Sequence, residues 1–250
     1  MKSLILIISS CFWAFAGIFA QSRPTLYPEP ASVQYGQGEL ALSNISLYVP
    51  ATAPKDIVFA LNELKQTLSE RSGKPLKMAS SLASSKIRYT VKAAGRTLPE
   101  TDEVTKGSTR EQYTLAVTAN GITIDAETST GLYYAVQTLR QLVRGDKLPF
   151  VTISDRPTMA FRGVMMDFAH GGLLTVEEIK RQIDFLARWK TNQYYFYNEV
   201  SIELEGYSTL NYKANYTQEE VKSIIAYARE RHMDVIPFVN FYGHLHELIR

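Results

Sequence analysis

The chain has 250 residues, of which 45% are hydrophobic and 21% charged, so it has enough apolar side chains for a packed globular core. Its formal net charge is only +2, and the sequence contains neither a basic patch nor a long run of like charges. This balance argues against nucleic acid as a partner and against a charged, disordered tail.

The first twenty residues have the pattern of a secretory signal peptide. Lys2 precedes an apolar stretch, and small residues follow at Ala16 and Ala20. The stretch is too short to favour a transmembrane helix. Cys11, the single cysteine, loosely fits a lipoprotein acceptor, which would add a lipid anchor. We therefore expect residues 1–20 to be a signal peptide and the mature protein to be secreted or periplasmic, without disulfides.

Residues 21–155 are predicted to form a small α+β domain. The apolar spacing predicts helices over 54–72 and 129–144, and Gly73 is suited to end the first of them. Alternating apolar residues predict strands over 86–92, 113–118 and 122–127. Asn120-Gly121 separates the last two strands and is typical of a tight hairpin turn.

The pattern of predicted elements changes at Phe161, after which strands are predicted over 161–168, 192–200 and 234–242. A helix follows each of the first two strands, and each begins with a capping-box pattern, Thr175 with Glu178 and Thr217 with Glu220. A third helix is predicted from His244 onward. The predicted apolar faces of the first two helices consist of Val176, Ile179, Ile183 and Leu186, and of Val221, Ile224, Ile225 and Ala228.

This β-α-β-α-β-α order is typical of a parallel sheet with crossover helices, and alone it does not separate a barrel from a doubly wound sheet. A complete (β/α)8 barrel takes about 250 residues, whereas about 90 follow Phe161. Three βα units would leave open strand edges, so we expect the chain to be a fragment of a longer protein.

Several stretches resemble glycoside hydrolase family 20, the β-N-acetylhexosaminidases. The resemblance rests on TSTGLYYAVQTLRQLV, ISDRP and FRGVMMDF at the joint between two domains, and on YNEVSIELEGY and VIPFVNFYGHLHEL further along. It implies an α/β protein with an α+β N-terminal domain over 21–155. Residues 156–250 would then be the first three βα units of an incomplete (β/α)8 TIM barrel.

The resemblance also implies roles for three side chains. Arg162, of the first-strand Arg-Gly pair, would bind sugar hydroxyls, for which a guanidinium supplies a fork of fixed donors. His244, of the third-strand Gly-His pair, would assist the catalytic acid through a carboxylate near Glu199. The alternative from spacing alone is that Arg162 pairs with the neighbouring domain and that His244 is satisfied by backbone groups.

Two positions depart from the family pattern. Asn198-Glu199 stands where the typical family has two aspartates, and the longer Glu199 side chain changes the geometry there. The first strand is usually followed by Ser-Arg-His, whereas here Ala169-His170-Gly171-Gly172 follows it. His170 therefore has no assigned family role, although it lies at the end of the strand where barrel active sites are found.

The resemblance implies hydrolysis of terminal N-acetylhexosamine (GlcNAc or GalNAc) from an oligosaccharide or glycoconjugate. The substrate's own acetamide attacks the anomeric carbon, a Glu protonates the leaving oxygen, and configuration is retained. The Asp-Glu pair for this chemistry is expected at a fourth strand, after residue 250, so we expect the 250-residue chain alone to be inactive. No cofactor and no metal site is expected, because the histidines lack cysteine partners and metal-binding spacing.

Two other readings stay open at this point. One is a related secreted glycosidase, such as an O-GlcNAc-hydrolase or hyaluronidase-like enzyme or an α-glucuronidase. The other is a non-catalytic carbohydrate-binding protein, in which the aromatic segment NQYYFYNEV forms a stacking platform. For Tyr194 and Phe196, however, we expect packing in the interior.

Overall fold

The computed structural model of the protein describes residues 23–94, 110–170, 172–199, 201–207 and 215–240. The predicted signal peptide and the segment with His244 and His246 lie outside these ranges. Within them, the strands form two separate sheets. None of the helices in the described ranges combines the length and apolar character that crossing a membrane requires.

Among the described residues, the first sheet has seven strands, and they come from the part of the chain before residue 156. In chain order these are β1 Ser32–Ala41, β2 Ser46–Leu47, β3 Lys77–Met78, β4 Ile87–Ala93, β5 Tyr113–Thr118, β6 Gly121–Thr128 and β7 Lys147–Asp155. Their order across the sheet is β1-β7-β5-β6-β4-β2-β3. The neighbouring strands β1-β7-β5-β6 pair antiparallel, and the neighbouring strands β6-β4-β2-β3 pair parallel. The predicted hairpin is confirmed, because Gly121 pairs with Thr118 and has the positive φ of 135° that the turn requires.

Two helices, α1 Lys55–Ser72 and α2 Ser129–Leu142, pack against each other and supply the core of this first unit. Both agree with the predicted helices. Gly73 ends α1 in the left-handed conformation, and Thr128 caps the start of α2 through its side chain. The predicted apolar stripes are buried, namely Ile57, Leu61, Leu64 and Leu68 on α1 and Leu132, Ala135, Val136, Leu139 and Leu142 on α2.

In the part of the chain that the structure describes, the second sheet contains three parallel strands, β8 Gly163–Asp167, β9 Gln193–Asn198 and β10 Asp234–Val239, in the order β10-β9-β8. Helices α3 Val176–Ala187 and α4 Gln218–Glu230 connect them. This confirms the predicted β-α-β-α-β succession, and the mixed α/β class with it. Tyr194 and Phe196 are buried as expected. The division of the chain at residue 155 stays a prediction, consistent with the change of sheet between Asp155 and Gly163.

Two details of these helices differ from the prediction. Thr217 and Glu220 form the full reciprocal capping box, whereas Glu178 binds Arg181 instead of returning to its N-cap, so Thr175 caps α3 alone. Ile225 was expected to be buried but is 38% exposed. Its neighbour Ile224 is fully buried, and consecutive helical residues point about 100° apart.

Candidate active site

The C-terminal ends of the three parallel strands meet at one edge of the second sheet. Tyr197 on β9 is paired with Asp167 on β8 and with Phe238 on β10. Asp167 is the last residue of its strand, and Tyr197 and Phe238 are each the second-last. His170 follows β8 and Glu199 follows β9 directly. In parallel α/β folds, ligand-binding side chains collect at this edge because the connecting loops leave it open.

Asp167 organises the turn after β8. Its Oδ1 accepts the backbone N–H groups of Ala169 and His170 at 2.8 and 3.1 Å, and the His170 Nδ1–H donates to its Oδ2 at 2.9 Å. The other ring nitrogen of His170, Nε2, lies 3.9 Å from Glu199 Oε1. The imidazole is therefore held between two carboxylates that come from different strands.

Tyr197 contacts both His170 and Glu199. Its hydroxyl donates a hydrogen bond of 3.0 Å to Glu199 Oε1, and its ring is stacked on His170 with a centroid distance of 6.2 Å. Phe238 from β10 lies 5.6 Å away on the other side. This fixes the longer Glu199 side chain, whose geometry the sequence left open, by a hydrogen bond from its own strand.

The electrostatics of the site favour a charged pair. The hydrogen bond from His170 lowers the pKa of Asp167, and the same bond and the charge of Asp167 raise the pKa of His170, with a smaller contribution from Glu199. Both side chains are about half exposed. The site thus presents an imidazole with increased cationic character, two carboxylates and an aromatic face, which together can bind hydroxyl groups of a polar ligand.

Asn198, the other residue at the position of the two family aspartates, lies on the opposite side of β9 from Tyr197. It is buried, and among the described residues its Nδ2 has no hydrogen-bond partner. Of the Asn198-Glu199 pair, therefore, Glu199 is the member that faces His170.

Arg162 is not near this site. It precedes β8 at the opposite, N-terminal edge of the sheet, about 20 Å from Glu199 at roughly 3.3 Å per strand residue. Its guanidinium donates to Glu111 Oε2 at 2.6 Å and to the backbone carbonyls of Met159 and Lys190 at 2.7 and 2.9 Å. The expectation that Arg162 holds sugar hydroxyls beside Glu199 is wrong for this reason, and the alternative of pairing with the neighbouring domain is the one that fits.

The sequence prediction included Glu199, left His170 without a role, named Tyr197 only as part of the segment NQYYFYNEV, and missed Asp167. Asp167 could have been found, since it is the second-last residue of the predicted strand and lies three residues before His170. Tyr197 could have been found by alternation, which places it opposite the buried Tyr194 and Phe196. His244 and His246 lie outside the described residues. No metal-binding group of His, Cys, Asp or Glu side chains occurs among the residues that are described.

Comparisons with known proteins identify relatives for both parts of the chain. Residues 23–156 match the family model "Glycosyl hydrolase family 20, domain 2", and residues 159–250 match "Glycosyl hydrolase family 20, catalytic domain". A β-hexosaminidase of Porphyromonas gingivalis is 31% identical over 162 residues, which are 54% of this chain and 21% of that protein.

Two solved structures have the same fold over most of the chain. The chitobiase of Flavobacterium johnsoniae matches with a TM-score of 0.74 and 26% identity, over 90% of this chain and 36% of that one. A mutant Streptomyces plicatus β-hexosaminidase in complex with its product GlcNAc matches with a TM-score of 0.73 and 27% identity, over 89% and 48%. The chain thus spans between about a fifth and a half of the length of these relatives.

Proposed function

Because the chain belongs to glycoside hydrolase family 20, we propose that the whole protein is a β-N-acetylhexosaminidase that removes terminal N-acetylhexosamine from oligosaccharides or glycoconjugates. The observation that carries the proposal is the cluster of Asp167, His170, Tyr197 and Glu199 at the C-terminal edge of the parallel sheet. The complex of the Streptomyces plicatus relative with GlcNAc supports the sugar class.

We propose further that β8, β9 and β10 are the first three strands of a (β/α)8 barrel. Met165 and Phe238, which alternate with residues packed under the helices, point to the other face of the sheet and are 58% and 46% exposed. Beside α3 and β8, a cavity of about 610 Å³ is lined by Val164, Met166 and Phe185. Apolar surface on both faces of a short parallel sheet is what further βα units would bury.

In this proposal the described residues bind and orient the sugar. Tyr197 and Phe238 offer aromatic surface to the apolar face of a pyranose ring, and His170 Nε2 and the Glu199 carboxylate bind its hydroxyls. Glu199 is also the carboxylate that would contact His244. The acid Glu and the Asp that orients the acetamide would come from the fourth strand, and the acetamide itself would attack the anomeric carbon with overall retention.

The proposal is tested with a chromogenic N-acetylglucosaminide. We expect the whole protein to release the chromophore and the 250-residue chain alone to release none. Glu199→Gln in the whole protein should reduce kcat/KM by roughly 10- to 100-fold, the cost of one charge-assisted hydrogen bond. Glu219→Gln, the same change at an exposed position on α4, is the control and should leave kcat/KM unchanged.

The competing readings predict other results. A non-catalytic carbohydrate-binding protein would bind N-acetylglucosamine without turnover, and an α-glucuronidase would act on glucuronides instead. Release of the chromophore by the 250-residue chain would contradict the assignment of the Asp-Glu pair to a later strand.

We also propose that residues 1–20 direct the protein to the secretory pathway, with lipid anchoring at Cys11 as the alternative. The support is the sequence pattern alone. N-terminal sequencing of the secreted protein should begin near Gln21, whereas a lipid-modified cysteine at the N-terminus would indicate the anchor.

A further inference from the structure

Two turns of the second sheet have a left-handed backbone at residues other than glycine. Lys190, after α3, has φ 60°, and His232, after α4, has φ 57°. Among the described residues no other non-glycine residue has a positive φ. Both turns have the same hydrogen bonds, since the N–H of the following residue reaches back to Leu186 in the first and to Ala228 in the second. Glycine is the usual residue at this point of such a turn because a side chain there is strained.

The side chain of Lys190 reaches into the first unit, residues 23–155. Its Nζ donates to Asp155 Oδ2 at 2.6 Å and to the Tyr113 hydroxyl at 3.0 Å. The Tyr113 hydroxyl in turn donates to the same Asp155 oxygen at 2.8 Å. Burial lowers the pKa of Lys190, and the charge of Asp155 opposes that shift. This is a buried ion pair with a shared hydroxyl, at the point where β7 of the first sheet ends.

The side chain of His232 makes the equivalent contact one turn further along the sheet. Its Nδ1 is joined to Thr130 Oγ1 by a hydrogen bond of 2.9 Å, and its ring lies 5.2 Å from that of Tyr133. Both partners belong to α2. His232 is only 2% exposed. Each strained turn therefore inserts a buried polar side chain into the same neighbouring unit.

The end of α1 provides the contrast within the molecule. Gly73 adopts the same left-handed conformation, with φ 65°, and a Cβ atom placed there would meet nothing within 4 Å. Where a left-handed turn faces open space the chain has glycine, and where the turn faces the first unit it has Lys190 or His232. Strain that persists at a non-glycine residue indicates that its side chain is needed.

We propose that Lys190 and His232 are docking residues that fasten the first unit to the N-terminal edge of the parallel sheet. The two turns lead directly into β9 and β10, so docking fixes the starts of these strands. The first unit thus holds the parallel sheet through Asp155 and Tyr113, which bind Lys190 at one turn, and through Thr130, which binds His232 at the other.

Whether a glycine substitution at these turns raises or lowers the folding stability tests the proposal. If the turns mattered only as backbone, Lys190→Gly and His232→Gly would relieve strain and raise stability. We expect the opposite in denaturant unfolding of the full chain, a loss of roughly 10- to 100-fold in the folding equilibrium constant for Lys190→Gly and about tenfold for His232→Gly. Exchange of the Asn192 and Asp234 amide protons, which are bonded to the carbonyls of Arg162 and Asn192, should become faster.

Gly73→Lys is the matched control, because it places a lysine in a left-handed turn that faces open space. It should reduce stability only slightly and leave amide exchange at Asn192 unchanged. Stability that is equal to or above that of the parent in both Lys190→Gly and His232→Gly would overturn the proposal.

A double-variant cycle covers the case in which Lys190→Gly does not fold. Lys190→Met leaves Asp155 charged and buried, and Asp155→Asn leaves the ammonium without its counter-charge. If the two residues acted independently, the reduction of the folding equilibrium constant in the double variant would be the product of the two single reductions. We expect a reduction at least fivefold smaller than that product, because the two residues are in direct contact. Losses that simply multiply would contradict the docking role of Lys190.

Discussion

The two edges of the parallel sheet hold similar charged side chains in opposite surroundings. At the N-terminal edge, Arg162, Glu111 and Lys190 are largely buried and bound to several protein groups each. At the C-terminal edge, Asp167 and His170 are about half exposed and lie beside an aromatic surface. The first set joins two parts of the chain, whereas the second set is accessible to a ligand.

The difference shows that residue type does not distinguish an architectural charge from a ligand-binding one. An arginine at a strand start can serve either purpose, and Arg162 uses its donors on Glu111 and backbone carbonyls. Burial and the number of protein partners decide between the two.

The largest expected effect comes from Arg162→Met. The Glu111 carboxylate is only 3% exposed, and this change removes its ion pair with Arg162. The hydrogen bond from the Asn192 side-chain amide is retained. We expect a loss of about 3–5 kcal/mol in the free energy of unfolding, because a buried charge is left uncompensated. Denaturant unfolding monitored by circular dichroism measures it.

Arg181→Met is the matched control. Arg181 also binds a carboxylate, that of Glu178, in this case through two nitrogens, but its side chain is 78% exposed. It should change stability by no more than about 0.5 kcal/mol. If Arg162→Met instead raised KM for a sugar substrate and left stability intact, the assignment of Arg162 to the interface would be wrong.

A smaller effect is expected from removing one hydroxyl at each edge. Tyr113→Phe removes a group that binds Asp155, Lys190 and Thr138 in the interior, and should cost about 1–3 kcal/mol of stability. Tyr197→Phe removes the hydrogen bond to Glu199 at the C-terminal edge and should cost about 0.5 kcal/mol or less. Thermal and denaturant unfolding of both variants compares the edges directly, and equal losses would remove the distinction between them.

The smallest expected effect is a change in the titration of His170. Its pKa is raised from the ordinary value of 6.5, so its attraction to Asp167 is present below that value and is lost as the pH rises through the folded-state pKa. On the acid side, the attraction is lost as the pH falls through the lowered pKa of Asp167. Asp167→Asn should return the pKa of His170 toward 6.5 in an NMR titration of the imidazole protons. An unchanged pKa would mean that the pair does not persist in solution.

The described helices and the strands β4, β5, β6, β8, β9 and β10 could be predicted from the sequence to within a few residues, whereas β1, β2, β3 and β7 were not predicted. Thr217 with Glu220, Gly73 and Asn120-Gly121 act on neighbouring backbone groups, so their effect is readable from short stretches. Part of the candidate site was readable in the same way, because Glu199 lies at the end of one predicted strand of a parallel sheet and His170 follows another. The family resemblance placed the chain in its family but assigned Arg162 to the wrong edge.

By itself, then, the sequence determined the helices of both units, the order of elements in the second sheet and the edge of that sheet where a site would form. Only the tertiary structure decided which charges meet. Glu111 is 51 residues from Arg162 along the chain, and Asp155 is 35 residues from Lys190. Helix and strand periodicities describe which face a residue takes within its own element. Whether that face meets another unit or solvent depends on how the elements pack.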